Sequence, residues 1–281
     1  NSISGSVSSL ISLSATIYEG TLFIDNLILF MNEEQTVRCI ADTPTPVTRQ
    51  KGHRIELKNV SFSYPGSSKK VLQNINLTLE PGDTVVLVGL NGAGKTTTNK
   101  MILGLVKKDS GEVICDEGMK IGYSPETPYF PPFLTGKEVL EYYASLQKIP
   151  KKKRREEIEG LLEIVGLENN KTKVKHYSKG MLQRLALAQS LLGNPELLIL
   201  DEPTAGLDAM GRVEIMQLIH TLQKSGKTIL INSHILNDIE RVCDRGIIIK
   251  KGVQLGTWNK DDNTGKNLEE TFLELVGGIG E

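Results

Sequence analysis

The stretch GLNGAGKTT places Gly89, Gly94, Lys95 and Thr96 in the register G-x-x-x-x-G-K-[ST]. It follows the apolar run TVVLV and opens a helical pattern, the setting in which such a loop holds phosphate. Small residues at Gly89, Gly92 and Gly94 let backbone N–H groups, with that of Asn91, curl around phosphate oxygens. Lys95 can then reach the β- and γ-phosphates of a nucleotide, and the Thr96 hydroxyl can bind Mg2+, with Thr97 next in the same turn. Downstream, LLILDEPTAGLD ends an apolar run in Asp201 and Glu202. One carboxylate there can face Mg2+ while its neighbour polarises a water for attack on phosphorus. In INSHIL, His234 follows a second apolar run. If the two runs are neighbouring strands, His234 reaches the same sheet edge and can contact the γ-phosphate or orient the water. The stretch HYSKGMLQR puts Ser178 and Gly180 at a helix start, where free N–H groups and the positive dipole end favour an anion. No phosphate-binding loop adjoins that start in the sequence, so its anion must come from elsewhere.

These residues need a scaffold that brings distant segments to one edge. Strand patterns are predicted in RIELKNVSFSY, NINLTLE, DTVVLVG, ELLILDE, TILINS and RGIIIKK. Helices are predicted from Gly94, over TGKEVLEYYASLQ and KKRREEIEGLLEIVG, after Ser178, from Met210, from Ile235 and over LEETFLELV. Strands alternating with helices imply an α/β fold with a mainly parallel sheet covered on both faces. The run KKKRREE is followed at once by acidic residues and reads as a solvated helix face. Residues 1–50 differ. SSLISLSATIYEGTLFIDNLILFM is nearly uncharged and reads either as a packing helix or as the cytosolic end of a membrane helix. ADTPTPVTRQKGHR reads as a linker into the domain that begins near residue 51.

Composition excludes several classes. The 281 residues carry a net charge of −1 and only 5% aromatics, which leaves neither the electrostatics nor the stacking surface for nucleic acid. Cys39, Cys115 and Cys243 are far apart and odd in number, as for reduced packing thiols rather than a disulfide frame or zinc site. No run of 18 apolar residues occurs, so no complete membrane span is expected. The sequence opens on Asn without a basic leader, which predicts a piece of a longer polypeptide rather than a secretory precursor.

Together and in this order, the stretches resemble the ATPase domain of ABC transporters over residues 54–275. The resemblance implies a P-loop NTPase core with an N-terminal antiparallel β subdomain and an inserted helical subdomain over about 127–190. It implies ATP and Mg2+ as ligands, with Thr96, Asp201 and Glu126 near the metal and Lys95, Glu202 and His234 in hydrolysis. YSKGM looks like the family's signature motif, so the anion at Ser178 and Gly180 would be an ATP held by a second ATPase domain, identical or paralogous, facing it head to tail. Tyr64 in VSFSYPG resembles the aromatic that stacks on adenine. Asp208 in GLD resembles the loop that touches the partner's site, and IGYSPE resembles the Q-loop that contacts the membrane domain. Departures from the family pattern are Tyr177, Lys179 and Met181 where Leu, Gly and Gln are usual, and Glu126 where Gln is usual. An ionised carboxylate at Glu126 cannot donate a hydrogen bond, so turnover or coupling would differ. Residues 1–90 resemble an exporter with fused membrane helices, whereas the chain from Lys95 on resembles ATPases that pair with separate membrane subunits. The expected function is an ATP-hydrolysing motor at the cytoplasmic face of a membrane, working with a membrane-spanning transporter domain. The alternatives are a soluble ABC-type ATPase outside transport and a nucleotide-dependent regulator that does not hydrolyse.

Overall fold

Strand β3 (Thr84–Val88) has all five side chains buried, and its two neighbours explain why. It pairs in parallel with β7 (Thr228–Ser233) on one side and β8 (Arg245–Lys250) on the other. Strand β6 (Leu197–Asp201) lies parallel beyond β7, and β5 (Ile121–Ser124) beyond β6. The unbroken apolar runs of β3, β6 and β7 are those of strands covered on both faces. In a computed structural model, residues 54–67, 69–116, 118–168, 171–262 and 265–277 are described. The expected helix and linker of residues 1–50 lie outside the described residues.

The sheet continues through β9 (Val253–Asn259), antiparallel to β8, and then through β2 (Lys70–Leu79), β1 (Ile55–Ser63) and β4 (Ser110–Cys115). β1 pairs antiparallel with both β2 and β4. The nine strands therefore run β4-β1-β2-β9-β8-β3-β7-β6-β5 among the described residues. This is the expected mixture of a parallel core and an N-terminal antiparallel part. β4, β5 and β9 have no counterpart among the strands predicted from sequence. β2 and β9 meet only at Gln73 and Val253 and then diverge. Side chains bridge the gap: Gln254 Oε1 accepts from the Asn76 N–H at 3.0 Å, and Arg245 donates to the Thr78 carbonyl at 2.8 Å.

Helix α1 (Lys95–Ile102) follows β3. α2 (Gly136–Leu146), α3 (Lys151–Ile164) and α4 (Lys179–Leu191) lie between β5 and β6 and share a core through Leu140, Ile158 and Leu185. The Lys151–Lys153 run on α3 is exposed, as a solvated face requires. Thr135 caps α2 in a capping box, its hydroxyl accepting from the Glu138 N–H at 3.2 Å while the Glu138 carboxylate accepts from the Thr135 N–H at 2.7 Å. That backbone N–H and the Lys173 ammonium hold the Glu138 carboxyl below its usual range. α5 (Ala209–Lys224) starts from Asp208, α6 (Leu236–Ile239) follows β7, and α7 (Leu268–Gly277) packs on β8 and β9.

Candidate nucleotide site

Strand register brings the separated motifs together. Val88 pairs with Ser233 and Asp201 with Asn232, so the ends of β3, β6 and β7 form one edge of the sheet. The loop after β3, the carboxylates of Asp201 and Glu202 at the end of β6 and His234 after β7 all stand at that edge. The expectation that TILINS runs beside LLILD is met residue by residue.

Two glycines of the loop are dictated by what lies behind them. A Cβ on Gly89 would stand 2.3 Å from the Ile249 carbonyl oxygen at the end of β8. Gly94 has φ 110° and a Cβ there would meet Leu72 at 2.7 Å. The turn between β8 and β9 closes the loop from the same side. The Gly252 N–H donates to the Ala93 carbonyl at 2.9 Å, and the Gly252 carbonyl accepts from Gln73 N–H at 2.8 Å.

Lys95 is buried at the first position of α1. Its ammonium donates to the Gly89 carbonyl at 2.6 Å and lies 3.4 Å from Glu202 Oε1. The latter contact has ion-pair distance without hydrogen-bond geometry, so Oε1 is buried with no donor. The other oxygen, Oε2, is 2.8 Å from His234 Nδ1. Glu202 has φ 48°, a left-handed conformation, fixed by its N–H donating to the Asn232 carbonyl and its carbonyl accepting from Ala205 N–H. Asp201 is buried too. Asn232 Nδ2 donates to its Oδ1 at 3.0 Å and the Tyr123 hydroxyl to its Oδ2 at 3.5 Å. Burial first, and Asp201 second, push the Tyr123 phenol up to about 12.

Asn91, Gly92, Gly94, Lys95, Thr96 and Thr97 line a cavity of about 300 Å3 together with Glu126, Asp201 and Glu202. Thr96 is exposed to it. His234 meets this cavity only through Glu202. Tyr64 lies outside it, half-exposed, with its hydroxyl 3.4 Å from Thr97 Oγ1 and its ring edge-on to Phe62. The Glu126 backbone carbonyl accepts from Gln183 Nε2 at 2.9 Å, which ties the loop after β5 to α4.

Ser178 and Gly180 do not line this cavity. Ser178 caps α4, accepting from Met181 N–H at 3.2 Å, and is exposed, while a Cβ on Gly180 would meet nothing closer than 3.9 Å. Lys179 lies over Gly206, in the turn that leads to Asp208. Asp208 caps α5 by accepting from Gly211 N–H at 2.8 Å. Among the residues that sequence reasoning missed, Asn232 and Tyr123 hold Asp201, and Gln183 holds the Glu126 loop. Asn232 and Tyr123 stand inside quoted stretches, INSHIL and IGYSPE, but their contacts depend on register between strands.

A family model described as "ABC transporter" matches residues 72–205. An uncharacterized ABC transporter ATP-binding protein of Nostoc sp. is 42% identical over 205 residues, covering 69% of this chain and 61% of that protein. The bacitracin transport ATP-binding protein BcrA of Bacillus licheniformis is 42% identical over 208 residues, covering 70% of this chain and 67% of BcrA. Among solved structures, the dimeric post-hydrolysis state of the ATP-binding cassette MJ0796 bound to ADP and Pi superposes with TM-score 0.67 at 29% identity, over 74% of this chain and 99% of that one. The chain spans 61% and 62% of the length of the first two curated relatives it matches.

Proposed function

The chain belongs to the family of ABC transporter ATP-binding proteins, and from that premise we propose that it binds Mg–ATP at the β3–α1 loop and hydrolyses it as one half of a dimer. The observation that carries this reading is the buried Lys95 ammonium, shared between the Gly89 carbonyl and an otherwise donor-free Glu202 oxygen. A phosphate chain entering the glycine cradle gives that ammonium a stronger partner. Glu202, its Oε2 held by His234 and its side chain part of the cavity lining, then acts as general base. It takes a proton from water as the water oxygen bonds to the γ-phosphorus and the bond to the β–γ bridging oxygen breaks, leaving ADP and phosphate.

The residues fit a magnesium ion held jointly with phosphate oxygens. Asp201 is a buried carboxylate whose two partners, Asn232 and Tyr123, are neutral, so its charge is uncompensated. Thr96 and Glu126 line the same cavity. When bound, the ion supplies charge neutralisation between the phosphates.

The exposed Ser178 and the half-buried Gly180, outside the lining of the chain's own cavity, support a role at the nucleotide of a second, head-to-tail ATPase domain. The dimeric assembly of the MJ0796 cassette is consistent with this. The half-exposed Tyr64 is proposed to meet the adenine ring. Residues about 127–190 act as the coupling subdomain. Tyr129 and Phe133, 83% and 69% exposed before α2, offer an apolar face to a membrane-spanning partner. The proposed place of the chain is the cytoplasmic face of the membrane, against such a partner; no helix among the described residues is long and apolar enough to cross a membrane. The relatives' names as ATP-binding proteins support a separate membrane subunit.

The test is Glu202→Gln beside Lys95→Ala. The motor reading expects Glu202→Gln to keep ATP affinity, lose hydrolysis by roughly 10²–10⁴-fold and elute as a stable dimer with ATP. Lys95→Ala loses nucleotide affinity. A non-hydrolysing regulator would leave Glu202→Gln indistinguishable from the parent.

A further inference from the structure

We propose that Asn232, assisted by Tyr123, is a positioning residue that fixes the Asp201 carboxylate for the metal ion; this rests on the Mg–ATP reading above. Asp201 and Asn232 are register partners on parallel neighbours, so their side chains stand on the same face of the sheet. The amide is fully buried and gives its N–H to Oδ1 at 3.0 Å. Tyr123, on the strand at the other side of β6, gives its hydroxyl to Oδ2 at the longer distance of 3.5 Å. One donor on each oxygen removes the carboxylate's freedom to rotate.

Both donors are neutral, and that decides the function. A lysine or arginine in either place would cancel the charge that a divalent ion needs. The nearby cation, Lys95, is turned to Gly89 and Glu202 instead. Asn232 and Tyr123 thus orient Asp201 without neutralising it, as outer-shell partners do at metal sites. Asn232 does more through its backbone, since its carbonyl accepts from the Glu202 N–H at 2.9 Å. One residue of β7 therefore sets both the metal-facing carboxylate and the adjacent base. Its own Oδ1 is buried without a donor, a desolvation cost that a valine in this place would avoid.

The experiment compares Asn232→Val with Asn232→Thr in the full chain. Both suit a buried strand and differ chiefly in one hydroxyl donor. Affinity for Mn2+ in the presence of ADP is read by electron paramagnetic resonance, and ADP affinity without metal by calorimetry. Asn232→Val is expected to lose about tenfold in Mn2+ affinity, with Asn232→Thr recovering part of it and metal-free ADP affinity staying within twofold. Tyr123→Phe, the milder change, is expected to lose less, and it carries the test should the strand variants not fold. Mn2+ affinities within twofold of the parent in the folded variants overturn the proposal while leaving the nucleotide site intact. A parent chain that binds neither ADP nor Mn–ADP overturns the underlying reading as well.

Discussion

Asn99 on α1 is fully buried, and neither its Oδ1 nor its Nδ2 has a hydrogen-bond partner. Its neighbours Met101 and Ile102 belong to an apolar cluster with Leu57, Leu72 and Leu87. Leucine has nearly the same branched shape at Cγ, so Asn99→Leu exchanges two unpaired polar atoms for methyls with little change in volume. Relieving the unpaired amide is worth about 1–3 kcal/mol. The helical position favours Leu by a few tenths of a kcal/mol, and residual crowding takes back roughly 1 kcal/mol. A net gain of roughly 1.5 kcal/mol corresponds to a rise in Tm of about 3–6 °C for a domain of this size. The assay is thermal unfolding by circular dichroism, checked by urea titration in which the midpoint rises with unchanged slope. A Tm equal to or below the parent's refutes the reasoning, because it means that the amide has a partner such as an internal water.

Two further outcomes concern the site. Gly89→Ala drives a Cβ toward the Ile249 carbonyl at 2.3 Å, a backbone obstacle that cannot swing away. Nucleotide affinity measured by calorimetry should fall at least tenfold and Tm should drop, whereas an unchanged affinity would show that the loop is free to shift. The Tyr123 phenol, pushed up to about 12 by burial and by Asp201, binds its proton more tightly folded than unfolded. The stability it contributes is present in full below its unfolded pKa, near 10, and is lost as pH rises through about 12. Urea midpoints measured across that window should fall less steeply in Tyr123→Phe than in the parent.

The central strands were legible because burial on both faces writes an unbroken apolar run, as in VVLV of β3 and LLIL of β6. The phosphate loop, Asp201, Glu202 and His234 were legible because their chemistry is tied to the ends of those runs. β4 was not, since SGEVIC at the sheet's edge buries none of its six residues and its apolar residues, Val113, Ile114 and Cys115, stand together rather than alternating. β5 has only four residues, and β9 buries only Trp258, so neither writes a pattern strong enough to read. Asn232 in sequence is merely a polar residue closing a strand. Its grip on Asp201 exists only because β6 and β7 align 201 with 232. Ser178 read as an anion site, and its own chain places no phosphate cradle beside it.

The brace formed by Gly252 against Ala93 also bears on how the chain is made. The phosphate cradle is made well before its backing at Ile249 and Gly252, which is translated roughly 160 residues later, a delay on the order of 10–30 s at usual elongation rates. β3 spends most of that interval without either β7 or β8 beside it. Nascent chains arrested before residue 250 should therefore be protease-sensitive and dependent on chaperones, however much of the nucleotide motif they already carry.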